Sequence, residues 1–379
     1  MNAAERALLF CAFSTALAYG TLIPALPVYL EASGVTWRGH AGALPVLFLA
    51  AASLSAPLWG RLSDRVPRRA VLLCGLGTAV AAAAPFAMQH SVGTLYAYQA
   101  IAGVAFGAVG PVALAMLYES SAASARGVAW FNGATLAGYL LGPALGGWTA
   151  SLARASSAHR IVLLALGAQA LLTLLALALV VLTTSAAARR DAPAPQPTTA
   201  RAGAAVGTAL IAAFLIGAFE IAATLYARSP LHLGASNVAW IFIACSAAMF
   251  VAQLAVLPRL PPHAPRVRIA LWCVTASAAL LALMAWASVH SALLALAVLQ
   301  GAALGLAVGV LSFDAARSGA AMRGRLLGYQ NAAVNAGQAA GSAAGAASFM
   351  SLGTAAFPAL GALVLAAAAL AGWRNARWT

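Results

Sequence analysis

The chain has 379 residues, 63% of them hydrophobic and only 7% charged, with a mean hydropathy of +0.91. That leaves too little polar surface to clothe a water-soluble particle of this size, which excludes a soluble fold and indicates a membrane protein. The formal net charge of +14 comes from 21 basic residues, all arginine, against seven acids. Apolar stretches of the roughly 20 residues needed to cross a bilayer predict twelve spans, near 7–30, 41–59, 70–88, 93–117, 128–150, 161–184, 205–228, 236–257, 269–287, 291–313, 327–349 and 353–372. Each is too long and too rich in Ala and Leu to be an alternating barrel strand, so the expected fold is an all-α membrane bundle.

In chain order, the first span has an apolar run longer than the 7–15 residues of a signal peptide and reads as a helix; it carries Tyr19 and Thr21. After span 2 comes GRLSDRVPRR, Gly60 to Arg69, four arginines around the scarce carboxylate Asp64. Span 4 carries Gln99, and span 5 carries Asn132, Thr135 and Tyr139 together with the glycine run GYLLGPALGG. Glycines at every fourth position open a groove in which a neighbouring helix can approach closely. Between spans 6 and 7, TTSAAARRDAPAPQPTTARAG is the one long polar, Pro-rich stretch and reads as a linker. The expected division is therefore 1–184, a linker at 185–204, and 205–379.

The second half repeats the first. A shift of 199 carries Arg126 onto Arg325, Asn132 onto Asn331, and Gly138, Gly142 and Gly146 onto Gly337, Gly341 and Gly345. Six spans per half is an even number, so both halves enter from the same side and form parallel repeats. Polar groups inside spans are costly and should face a cavity or one another. In the second half these are Glu220 and Tyr226 in span 7, Gln253 in span 8, Gln300 in span 10, and Gln330, Asn331, Asn335 and Gln338 in span 11. Asn331, Asn335 and Gln338 are spaced i, i+4, i+7 and share one helix face. Glu220 is the one acid well inside a span and is the candidate for proton coupling, with a fixed counter-charge to a cationic substrate or to Arg228 as its rival role.

The arginines sort by loop. With the N-terminus placed in the cytoplasm, 17 fall at inside ends and loops and four outside. This is the positive-inside pattern, which sets orientation with both termini cytoplasmic and requires no nucleic-acid partner. The four cysteines all fall inside predicted spans without metal-ligand spacing and read as small apolar residues. No P-loop, H-E-x-x-H or G-x-S-x-G pattern is present, so no enzyme activity, cofactor or metal is expected.

GRLSDRVPRR is similar to the signature between helices 2 and 3 of the major facilitator superfamily. Gly60, Leu62, Asp64, Arg65, Arg68 and Arg69 match its G-x-L-x-D-R-x-G-R-R pattern, and Pro67 departs from it. Gly138, Gly142, Pro143, Gly146 and Gly147 resemble the family's G-x-x-x-G-P-x-x-G-G motif of exporting antiporters. Gln99 stands where exporters of the family often carry an arginine. The resemblance covers essentially the whole chain and implies two six-helix bundles related by pseudo-two-fold symmetry. It also implies alternating access and a gating role for the motif residues and for Arg126. Asp64 would then be a latch, because a carboxylate there can accept charge-assisted hydrogen bonds from arginines and from the positive N-terminal end of another helix.

The resulting expectation is a monomeric secondary transporter in the inner or plasma membrane. Its partners would be a small organic substrate, protons or another coupling ion, and the lipid bilayer. Tyr19, Gln99, Asn132, Tyr139, Tyr226, Gln253, Gln300, Asn331, Asn335 and Gln338 would line the cavity. Export of drugs or metabolites leads, with import of a metabolite or siderophore as the alternative. A receptor built on the same fold would be expected to carry an added soluble domain, and no loop is long enough for one.

Overall fold

The structure is a computed structural model and describes residues 1–32, 37–88, 91–120, 125–153, 158–184, 199–228, 230–233, 235–261, 264–317 and 320–376. Regular structure among them is helical throughout. The helices are α1 (Ala3–Ala32), α2 (Trp37–Arg65), α3 (Arg68–Met88), α4 (Val92–Ser120), α5 (Ala125–Ala153) and α6 (Ala158–Thr183), then α7 (Thr199–Arg228), α8 (Ala235–Val256), α9 (Arg266–Leu283), α10 (His290–Ala316), α11 (Ala320–Leu352) and α12 (Ala356–Ala376). Helix is the form these sequences must take in a bilayer, because every backbone N–H and C=O is then satisfied within its own segment.

Eight stretches among the described residues are long and apolar enough to cross a membrane; the last runs from Met322 to Trp373 through α11 and α12. The exposed surface is itself apolar. Leu54 is 77% exposed, Leu182 80%, Trp272 and Trp286 70% each, and Met350 83%, an arrangement that only a lipid solvent tolerates on this scale. Residues 185–198 of the predicted linker lie outside the described residues, and α7 begins at Thr199, ahead of the predicted start at 205.

The chain groups into two compact units. Unit 1 holds Met1–Ala123, Trp130–Pro193 and Gly319–Ala332; unit 2 holds Ser124–Ala129, Ala194–Ser318 and Ala333–Thr379. The start of α5 groups with unit 2 and the start of α11 with unit 1. Within unit 1, α2 packs on α4, α1 on α6, and α3 on both α4 and α6. Within unit 2, α8 packs on α10, α7 on α12, and α9 on both α10 and α12. The same pairing therefore recurs at a six-helix offset.

Glycine makes the closest of these contacts possible. In unit 1 a side chain at Gly103 would collide with the Phe48 carbonyl of α2, and one at Gly107 would lie 2.8 Å from the Ala52 carbonyl. In unit 2, Gly301 and Gly305 of α10 lie as close against Cys245 and Met249 of α8.

Candidate functional site

The residues singled out in GRLSDRVPRR converge in unit 1. Ser63 and Asp64 end α2, Arg68 and Arg69 open α3, and the first part of α11 lies against them. Asp64 Oδ1 accepts a hydrogen bond from the Gly324 backbone N–H at 2.9 Å, and Oδ2 accepts one from the Arg325 N–H at 2.8 Å. Both oxygens of the carboxylate thus engage backbone N–H groups in the second turn of α11, as charge-assisted hydrogen bonds. Such proximity needs bare backbone on both sides. A Cβ at Gly60 would strike the Gly324 carbonyl, and one at Gly328 would sit 2.6 Å from the Ala56 carbonyl.

Arg68 is nearly buried and bridges two acids. Its Nη2 lies 3.4 Å from Asp64 Oδ1, and its Nη1 donates to Glu119 at the end of α4. Glu119 also accepts from Arg323 Nη1 at 2.6 Å, and the Arg323 guanidinium lies 4.9 Å from the Tyr118 ring centroid. Glu119 is a functional candidate that sequence reasoning did not single out. The scarcity of carboxylates that drew attention to Asp64 applied equally to it.

The remaining motif charges stand apart. Arg69 donates to the Val181 carbonyl of α6 at 2.8 Å, while Arg65 and Arg126 are exposed. Arg325, the repeat partner of Arg126, meets Asp64 through its backbone.

In α5, Gly138 and Gly142 lie against α1: Cβ atoms there would collide with Phe13 and crowd Gly20 and the Leu17 carbonyl. Gly146 is buried; the side-chain surroundings of Pro143 and Gly147 lie outside the described residues. Unit 2 repeats the arrangement, with Gly337, Gly341 and Gly345 of α11 against Leu210, Phe214 and Ala218 of α7.

The polar residues predicted to line a cavity separate into distinct groups. In unit 1, Tyr19 and Tyr139 meet edge-on with ring centroids 5.9 Å apart, and Asn132 is half-buried on the same helix as Tyr139. Gln99 is buried, with its Oε1 unpartnered. Asn331 packs its Oδ1 over Gly110 of α4, while its Nδ2 is buried without a partner.

In unit 2, Gln338 Nε2 donates to Glu220 Oε2 at 3.3 Å, joining α11 to α7 beside Gly217. Asn335, 3% exposed, and Gln300, fully buried, have amide atoms without partners; Gln253 is fully buried against Gly309. Tyr226 is committed to packing, its hydroxyl donating to the Ala287 carbonyl at 3.0 Å and its ring meeting Phe357 at 5.3 Å. The side chain of Arg228, the rival partner of Glu220, lies outside the described residues. Among the described residues no group of His, Cys, Asp and Glu could hold a metal ion.

A multi-pass helical membrane protein with glycine-seamed helix pairs and polar groups buried inside its units is the class that this architecture defines. The Major Facilitator Superfamily model matches residues 8–266, and the chain belongs to that family of transporters. It is 37% identical over 139 residues to the class D tetracycline resistance protein of Salmonella ordonez, covering 35% of this chain and 34% of that protein. It is 28% identical over 154 residues to the quinolone resistance protein NorA of Staphylococcus aureus, covering 40% and 39%. The matched stretches thus span little more than a third of each of these relatives. Across its length the fold is similar to the human organic anion transporter MFSD10 (TETRAN), with TM-score 0.80, 19% identity and coverage of 97% and 99%. It is also similar to the transporter FucP in its outward conformation, with TM-score 0.71, 16% identity and 98% of both chains covered.

Proposed function

We propose that this protein is a secondary active exporter that exchanges a small organic molecule for protons by alternating access. It would do so as a monomer of twelve spans in the inner or plasma membrane, with both termini in the cytoplasm. On this reading residues 1–184 and 205–379 are the two six-helix bundles, and the linker at 185–204 is cytoplasmic. The observation that carries the coupling is the Glu220 carboxylate held inside unit 2 by Gln338. A carboxylate inside a membrane span is costly when charged, and protonation removes that cost; it marks proton relays in transporters. Export rather than import is supported by the tetracycline and quinolone resistance proteins that the chain resembles in part. The lattice of Asp64, Arg68, Glu119 and Arg323 serves as the latch, holding α11 to the ends of α2, α3 and α4 and releasing it once per cycle.

Liposome transport with and without an imposed pH gradient tests this. Glu220→Gln should abolish pH-driven accumulation while counterflow exchange of substrate persists. Accumulation of substrate against its gradient by that variant would show that protons are not coupled through Glu220.

A further inference from the structure

In unit 2, α9 carries an exposed stripe that is not uniformly apolar. Arg268, Trp272, Ala276, Ala279 and Leu283 follow one another at spacings of four, four, three and four, which keeps them on one helix face, and all five are exposed. The stripe begins with a charge, passes an indole and continues through small side chains. On α8, Ala252 and Val256 form a matching line that leads into Arg259 at the end of the short turn beyond the helix. Among the described residues, α8 and α9 both pack along α10 and little on each other. A groove of about 660 Å³ is left between them, walled by Ala252, Val256, Ala276 and Ala279 and floored by Ala302 and Ala303 of α10. Small side chains keep it concave, and it opens on the lipid-facing surface, where Leu283 and Leu299 of its lining are exposed.

One end of this groove is positively charged. Arg259, Arg266, Arg268 and Arg317 stand where α8 and α10 stop and α9 starts, and Asp314 is the one acid in residues 235–317. Arg266 takes that acid at 3.9 Å, and Arg266 and Arg317 both lie over the Phe313 ring. Arg259 is laid back along α8, donating to the Ala255 carbonyl, and neither it nor Arg268 makes an ion pair with a described residue. Two exposed cations without a carboxylate thus close one end of an apolar groove. From Arg268 to Leu283 the helix rises about 22 Å at ~1.5 Å per residue, roughly half of the 40–45 Å of a bilayer with its headgroup regions. Charged end and groove together have the length of one leaflet.

We propose that this groove is a binding site for a membrane phospholipid with an anionic headgroup. One acyl chain lies on Ala302 and Ala303 between α8 and α9, and the headgroup is held by Arg259 and Arg268. The Trp272 indole stands between them at the headgroup boundary, the depth that amphipathic rings favour. Basic pockets between membrane helices recognise anionic headgroups in this way, each arginine near the surface adding about fivefold. A lipid in ordinary contact with the protein meets convex side chains and no pair of unopposed cations; here groove and charge select together. The site does not depend on what the protein carries or in which direction.

Native mass spectrometry of the purified full chain in detergent tests this, with dioleoylphosphatidylglycerol and dioleoylphosphatidylcholine added in competition. The two lipids share their chains, so any preference reports the headgroup. The unaltered protein should retain phosphatidylglycerol over phosphatidylcholine by about tenfold or more. Arg259→Gln and Arg268→Gln should each reduce that preference about fivefold, while Arg6→Gln, at the exposed start of α1, should leave it unchanged. Ala276→Phe and Ala279→Phe, at exposed positions that tolerate bulk, should fill the groove and cut phosphatidylglycerol retention about tenfold with both arginines in place; melting temperatures check that each variant is folded. Equal retention of the two lipids by the unaltered protein, or retention of neither, overturns the proposal. So does an equal loss in Arg6→Gln, which would mean diffuse attraction to the net positive charge, or undiminished retention in both alanine variants.

Discussion

Asp64 uses both oxygens as acceptors from two backbone N–H groups, and this geometry makes asparagine a poor substitute. A carboxamide in its place could accept from one N–H but would turn its NH2 against the other, and the charge would be gone. Asp64→Asn should therefore leave the protein folded but favour release of α11 by about 1–3 kcal/mol, a roughly 5- to 150-fold population change. Labelling of a cysteine placed near Gly324 should accelerate accordingly, and an unchanged labelling rate together with unchanged transport would reduce Asp64 to a local ion pair. Arg325→Ala should change neither, because Arg325 meets Asp64 through its main chain. Glu119 joins two guanidinium groups, and Glu119→Gln removes the acid they share, leaving Arg68 with Asp64. A loss of about 1–3 kcal/mol is expected in unfolding measurements, below the value for a fully buried pair because the Glu119 side chain is 26% exposed. A double-mutant cycle with Arg323→Gln should show the coupling directly.

At the scale of the element, glycine marks the seams where helix backbones touch. A Cβ at Gly142 would lie 2.7 Å from the Gly20 Cα, main chain against main chain with no side chain to swing away. Gly142→Ala should then cost about 1–3 kcal/mol through forced separation of α5 from α1, read as a lower melting temperature in detergent. Gly207, in α7, meets nothing within 4 Å. Gly207→Ala should be neutral or stabilising by up to about 1 kcal/mol, since alanine orders the helix more readily than glycine. Equal effects of the two substitutions would mean that the α1–α5 seam is looser than described. The G-x-x-x-G pattern was legible in the sequence, but which partner each glycine faces was not. The pattern states only that some helix comes close, and α1 and α7 were found by packing.

At the scale of the whole molecule, the arginine distribution predicts that Ser156 and Thr198, both outside the described residues, lie on opposite faces of the membrane. An impermeant thiol reagent added outside intact cells should modify a cysteine at 156 and spare one at 198; modification of both from the same side would overturn the proposed topology. The helix pairings recur between the units: α2 with α4 and α8 with α10, each through two glycines one turn apart. Each pairing keeps its register because the interhelical contacts are backbone contacts, which tolerate neither rotation nor sliding by one residue. Of the residues matched at an offset of 199, the glycines repeat their contacts, Gly138 and Gly142 against α1 and Gly337 and Gly341 against α7.

The sequence by itself determined the solvent and the secondary structure. A chain this apolar must live in lipid, and lipid leaves helices as the way for its long Ala- and Leu-rich runs to satisfy their backbone. It also determined that Asp64 and Glu220 were unusual, because each is a scarce acid in a context where charge is expensive. Only the tertiary structure decided what those acids meet, since hydrogen-bond partners 260 and 118 positions away in the chain are brought near by packing and by no local pattern. The same holds for Glu119, at the end of α4, whose partners Arg68 and Arg323 come from other helices.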